Sequence, residues 1–246
     1  MESSSFHYLP QGPWFFAVLA LVLAGLVALV QFGLLSYAYD KIGISRSAAW
    51  SLLLASLVGS MINIPLAELP GKKTVVWQRA IDRWGVPHAF PVIQEFEGTQ
   101  LAINVGGAVI PIALSIYLIA KNQIYFEALI GVSAVAAVVH ALATPVPHMG
   151  IAVPIFIPPV ISALIAIILT REYAAPLAYV SGCVGTLVGA DVMNLAKLGE
   201  IGASIASIGG AGTFDGVFLT GILAVLLAAR PGHSPRAQGE VGQGSV

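Results

Sequence analysis

Long uncharged stretches, each roughly as long as a bilayer is thick, recur along this chain and restrict its folding more than any other feature. A hydrocarbon core about 30 Å thick is crossed by around 20 residues at helical rise. Irregular backbone at that depth survives only where protein or water satisfies its polar groups. Composition points the same way, with 57% apolar and 9% charged residues, against the roughly 25% charged residues of soluble domains. The net charge of −1 offers no concentrated basic face and excludes a nucleic-acid partner. The single cysteine, Cys183, excludes a disulfide within the chain and a cysteine-based metal site.

The first run, residues 14–39, follows Pro10 and Pro13 and is edged by Trp14, Tyr37 and Tyr39. It is too long for a signal peptide's apolar core and lacks a basic leader and a small-residue cleavage site, so it is expected to be a retained first span. A charged turn (Asp40, Lys41, Arg46) precedes the second run, 47–67, which closes on Asn63, Pro65 and the breaker Leu69-Pro70. Residues 71–100 mix Lys72, Lys73, Arg79, Asp82, Arg83, Glu95 and Glu97 with Trp77, Trp84, Phe90 and Phe96, and so lie outside the hydrocarbon. An interfacial helix over 75–84 followed by an extended, proline-bounded loop is expected there.

The third run, 101–120, holds Asn104, Gly106, Gly107 and Pro111, which interrupt or weaken a helix in its first half. The fourth, 125–144, has Glu127 at its mouth and His140 near its end. Prolines 145, 147, 154, 158 and 159 then predict a broken or re-entrant start to a fifth span over 155–170. The sixth runs from 174 or 176 to 198 and carries Asp191 and Asn194, three apart and so on one helix face. The seventh, from about 203 to 229, opens with Ser204, Ser207, Gly209, Gly210, Gly212 and Thr213, reaches Asp215, then turns smoothly apolar. The expected fold is all-α: a polytopic transmembrane bundle of about seven spans, some broken or re-entrant. It occupies residues 14–229, with an N-terminal extension over 1–13, an extramembrane loop over 71–100 and a disordered C-terminal tail over 230–246.

Basic residues divide almost evenly between the two sides of such a bundle, but the short loop between spans four and five has none, which tilts the C-terminus toward the cytoplasm. Two carboxylates, Asp191 and Asp215, fall within the last two runs. A charge at the bilayer centre costs roughly 2.5 kcal/mol or more, so each acid calls for a partner or a function. If spans six and seven form a hairpin about Glu200, the acids differ in height by six residues, or about 9 Å. A shared polar pocket is the expectation, with Asn194 and Thr213 orienting the acids, residues 209–212 allowing close backbone approach, and Asn104 and His140 adding polar groups.

Three readings stay open for that pocket. Two close carboxylates sharing a proton can act as acid and base on a water, the chemistry of aspartyl proteases. Polar groups in broken spans can instead bind a proton or small cation for coupled transport. Or each acid merely caps an interrupted helix, or pairs with Lys197 or a backbone donor. No HExxH, GxxxxGK[ST] or GxSxG-like pattern supports zinc, nucleotide or serine chemistry, and neither metal nor cofactor is expected. The expected partners are the bilayer and a small ion or membrane-embedded substrate.

The block 63–66 (NIPL), LAINVGGAVIPIALSIYL from Leu101, TPVPHMGIAVPIFIPP from Thr144, GADVMNL from Gly189 and SIGGAGTFDGVFLTGILAVLLA from Ser207 together resemble a bacterial and archaeal family of multi-pass membrane proteins, domain of unknown function 1614. The resemblance spans 63–229 and implies a polytopic protein of a prokaryotic cytoplasmic membrane; it implies no activity. Likeness to intramembrane aspartyl proteases with a GxGD motif is partial. Phe214 stands where the glycine before the aspartate belongs, and only twenty-four residues separate the two acids.

Overall fold

The computed structural model describes residues 33–70, 73–81, 87–95, 98–146, 150–198, 205–210 and 216–229. The N-terminal extension, most of the first run and the tail lie outside these. Helix α1 (Gly33–Lys41) meets α2 (Arg46–Gly59) at a bend of 116°. The bend turns on Gly43 at φ 78°. Ser45 caps α2 by accepting the Ala48 N–H at 3.2 Å, and Lys121 donates to the Gly43 carbonyl at 2.7 Å. Strands β1 (Asn63–Leu69), β2 (Lys73–Ile81), β3 (Pro87–Glu95) and β4 (Thr99–Asn104) follow. A π-helical turn over Val105–Val109 then leads into α3 (Ile110–Asn122) and α4 (Tyr125–Leu142).

Strands β5 (Thr144–Val146) and β6 (Gly150–Ala152) fold the proline-dense segment into a small hairpin ahead of α5 (Ile157–Leu169). Pro158 and Pro159 occupy the first turn of α5, where no helical N–H is required of them. Helix α6 (Ala174–Thr186) continues through a π-turn (Leu187–Asp191) and a 3-10 turn (Val192–Asn194) into the short α7 (Leu195–Leu198). Strand β7 (Ile205–Ile208) and α8 (Gly216–Ala228) complete the described chain.

Helix α6 is the axis of the bundle. Every residue of it except Val184 is buried, and α3, α4, α5 and α8 all pack on it. Small residues make that possible, because lipid tails supply no hydrophobic drive and helices associate by close packing. Ser181, Gly185 and Gly189 form one ridge at four-residue spacing. A Cβ added at Gly131 of α4 would sit 3.2 Å from Ser181 Cβ, one at Gly185 2.7 Å from Val135 Cβ, and one at Gly189 2.9 Å from Val139 Cβ. The constant offset of these pairs means that α4 and α6 run parallel. Toward α8, a Cβ at Gly221 would collide with Cys183 and lie 3.1 Å from the Tyr179 ring.

Chain direction therefore puts all the described strands at one end. Helices α2, α4 and α6 finish there, and α3, α5 and α8 start there; the opposite end holds the turns that carry Lys41, Arg46, Lys121 and Arg171. The chain is mostly helical. Among the described residues three helical segments are long and apolar enough to cross a membrane (Val105–Asn122, Tyr125–Leu142 and Ala174–Lys197), or up to four if the bent pair counts as one. Helices α5 and α8 are apolar but shorter.

The strands correct the all-α expectation. Residues 75–81 of the expected interfacial helix are strand instead: β2 and β3 pair antiparallel from Lys73↔Glu95 to Ile81↔Pro87; the rest of that expected helix, 82–84, lies outside the described residues. The β-branched and aromatic residues Thr74, Val75, Val76 and Trp77 favour extended backbone, and Pro87 and Pro91 deny the partner segment a helix. The second run stops being helical at Gly59 and becomes β1, antiparallel to β4, while the glycine-rich start of the seventh run becomes β7, parallel to β4. The β4–β7 pairing joins Gln100 to Ile205 and the β1–β4 pairing joins Asn63 to Asn104, separations that local periodicity does not register. The expected interruption of the third run is present, as β4 and the π-turn ahead of α3.

Replacing Gly189 by Val should lower thermal stability in detergent by about 1–3 kcal/mol, the cost of overpacking. Gly33→Ala, whose Cβ would meet nothing within 4 Å, should leave the melting temperature unchanged.

Candidate functional site

Asp191 is the sole acid in Ala174–Lys197 and closes the π-turn at which α6 loses its regularity. It is half-buried, and its Oδ2 accepts the backbone N–H of Gly209 at 2.8 Å. Oδ1 has no bond to any described residue. Gly209 has φ +84° and Gly210 φ +82°, and the Gly210 N–H closes the turn on Ser207 O at 3.1 Å. A side chain at Gly209 is doubly forbidden, since its Cβ would also lie 2.7 Å from both Cβ and N of Ala108. One glycine is thus wedged between the π-turn after β4 and the carboxylate of the broken α6.

Depth follows from counting. Asp191 stands seventeen residues beyond Ala174, about 26 Å along a helix axis, so it lies toward the strand-bearing end of its segment. There the three-stranded sheet β1-β4-β7 covers the bundle. Leu101, Ala206 and Ile208 of the sheet pack with Leu195 of α7 and Ile151 of β6.

Asn194 is fully buried, and its Nδ2 donates to the Gly189 and Ala190 carbonyls at 2.9 Å each, while its Oδ1 accepts from Lys197 Nζ at 2.8 Å. These bonds serve carbonyls of the π-turn rather than the Asp191 carboxylate. Asn104, 1% exposed, is likewise fully engaged. Its Oδ1 accepts the Gly107 N–H at 2.8 Å and caps the π-turn; its Nδ2 donates to Ser60 O at 2.8 Å and Asn63 Oδ1 at 3.0 Å. Ser207 donates to the same Asn63 oxygen at 2.6 Å, and Ser56 donates to Gly106 O at 2.7 Å.

Sequence reasoning missed Asn63, Ser56, Ser60 and Ser207 as members of this network. The Asn63 side chain just ahead of Pro65 was the available signal. His140 lies at the end of α4 with its Nδ1 buried and unpartnered. Gly212, Thr213 and Asp215 lie outside the described residues. Among the described residues no three His, Cys, Asp or Glu side chains converge as a metal site would need.

The arrangement offers a carboxylate held by one oxygen at the meeting point of three interrupted elements, with its other oxygen bonded to no described residue. A family described as "Protein of unknown function (DUF1614)" matches residues 57–227. The chain belongs to this family. No curated protein and no solved structure matches it. The DUF1614 match runs from the last turn of α2 to the end of α8, and so takes in the sheet, both π-turns and Asp191.

Asn104→Ala should strand the Gly107 N–H and the Ser60 carbonyl, at about 1–3 kcal/mol for each buried group left unsatisfied. Thermal unfolding in detergent should show the loss, and Gly209→Ala should be at least as damaging by the same measurement.

Proposed function

We propose that this DUF1614 protein is an integral protein of a prokaryotic cytoplasmic membrane that moves a proton or small cation, with Asp191 as the carboxylate that takes up the ion. The observation that carries this reading is a membrane-length helix at the centre of the bundle that becomes irregular at its sole acid. Broken helices that place polar groups inside a bundle are the usual architecture of ion-coupled transporters. In the proposed topology the run 14–39, α2, α3 with its π-turn, α4, α5, the α6–α7 segment and α8 supply about seven spans. Lys41, Arg46, Lys121 and Arg171 gather in short turns at one end. That end is proposed to be cytoplasmic, which puts the strand-bearing end and Asp191 on the opposite side. Asp215, immediately before the first residue of α8, is the proposed second carboxylate.

A second reading draws on the Gly209 bond itself: Asp191 as an anchor that holds the β7–α8 reversal against α6. Asp191→Asn separates the two, because the amide oxygen still accepts the Gly209 N–H while the charge is gone. Proteoliposomes carrying this variant should lose proton- or cation-driven flux with an unchanged melting temperature. Full flux in Asp191→Asn, with instability only in Asp191→Ala, would make the acid an anchor. Cleavage of a membrane-embedded peptide by the unmodified protein, abolished in Asp191→Asn, would replace transport with an aspartyl-protease-like activity.

A further inference from the structure

Buried hydroxyls in these helices mostly find a carbonyl one turn back. Ser115 donates to Pro111 O at 2.7 Å, Ser162 to Pro158 O at 2.7 Å and Ser181 to Leu177 O at 2.8 Å. Thr186, the last residue of α6 and 7% exposed, does not: its Oγ1 is buried without a partner. Two more buried polar atoms share that condition among the described residues, His140 Nδ1 and Thr99 Oγ1. All three belong to the strand-bearing end: Thr99 opens β4, His140 lies in the last turn of α4 and Thr186 abuts the π-turn. All three atoms call for a partner, since a buried polar group without one is costly and usually holds an ordered water.

Position strengthens the point. Thr186 is one helical turn beyond Gly182, and a Cβ at Gly182 would lie 3.4 Å from both Ser162 Oγ of α5 and Thr220 Cγ2 of α8. The α6 face that carries Thr186 is therefore the one turned to α5 and α8. Asp191 follows five residues later, about 7 Å further along the axis. His140, by the constant offset between the parallel α4 and α6, stands level with Ala190. Two unpartnered atoms from two helices thus flank the irregular stretch, and Asp191 Oδ1 adds a third group with no bond to a described residue. Widened π-turns recur where a helix must make room at a functional site.

We propose that this end of the bundle encloses a hydrated vestibule, with one ordered water on Thr186 Oγ1 and another on His140 Nδ1, through which Asp191 reaches the solvent on the strand-bearing side. Its ligand is water, together with the hydrated proton or small monovalent cation that water admits. The purpose of the vestibule rests on the transport reading; its existence does not.

Cysteine accessibility in proteoliposomes tests it. In a Cys183→Ser background, Thr186→Cys should react with a small water-soluble methanethiosulfonate, more slowly than the exposed Gln100→Cys, while the fully buried Leu177→Cys stays inert. If Thr186→Cys is as inert as Leu177→Cys, the vestibule does not exist. Should the cysteine variants fail to fold, water-edited solid-state NMR of the unmodified protein should show water-to-protein transfer at Thr186, and its absence would overturn the proposal equally. Labelling of Thr186→Cys in a protein without ion flux would remove the transport reading and leave the vestibule. Flux with an inert Thr186→Cys would do the reverse.

Discussion

A helix interrupted inside a protein-packed interior releases backbone N–H and C=O groups that must find partners, and this requirement organises the structure. Each break has a side chain assigned to it. Asn104 caps the π-turn before α3 and ties it to the end of α2. Asn194 gathers the carbonyls freed by the π-turn in α6. Asp191 takes the N–H of Gly209, where β7 gives way to the glycine turn. Without these three polar residues the interruptions would be costly; with them, extended and helical segments meet without a regular junction.

The small-residue seam of α6 is the second half of the same design. Ser181, Gly185 and Gly189 bring α4 close on one side, and Gly182 with Gly221 bring α5 and α8 close on the other. Helix α6 is buried along its length apart from Val184, and the π-turn, the 3-10 turn and the acid come only where that packing ends, with Val192 and Met193 exposed. The candidate site is thus a consequence of where α6 sits: the sole acid of the Ala174–Lys197 segment falls at the edge of its packed length, where helices give way to the β1-β4-β7 sheet.

Several elements were legible in the residues. The apolar runs of 125–144 and 174–198 became α4 and the α6–α7 segment almost residue for residue, because helical turns need only local hydrogen bonds, although the π-turn and 3-10 turn inside the second were not legible. Asn104, Gly106, Gly107 and Pro111 announced the broken third run, since each works against helix within a turn of itself. The acid at 191 stood out because charge is so rare in such surroundings. The roles of Asn104 and Asn194 were less accessible: both looked like candidates for binding a ligand, yet their donors and acceptors serve the backbone around the breaks.

By itself the sequence determined that this chain belongs among helical, membrane-length folds, where its long helices run and which carboxylate is unusual, because hydrophobicity and helix-breaking act over a few residues. Only the tertiary structure decided that residues 63–69, 99–104 and 205–208 form a sheet, that Asp191 pairs with Gly209, and that the unsatisfied polar atoms gather at one end. Strand pairing and the meeting of separate breaks depend on segments far apart in the chain, and no local pattern of residues encodes which distant partner will be there.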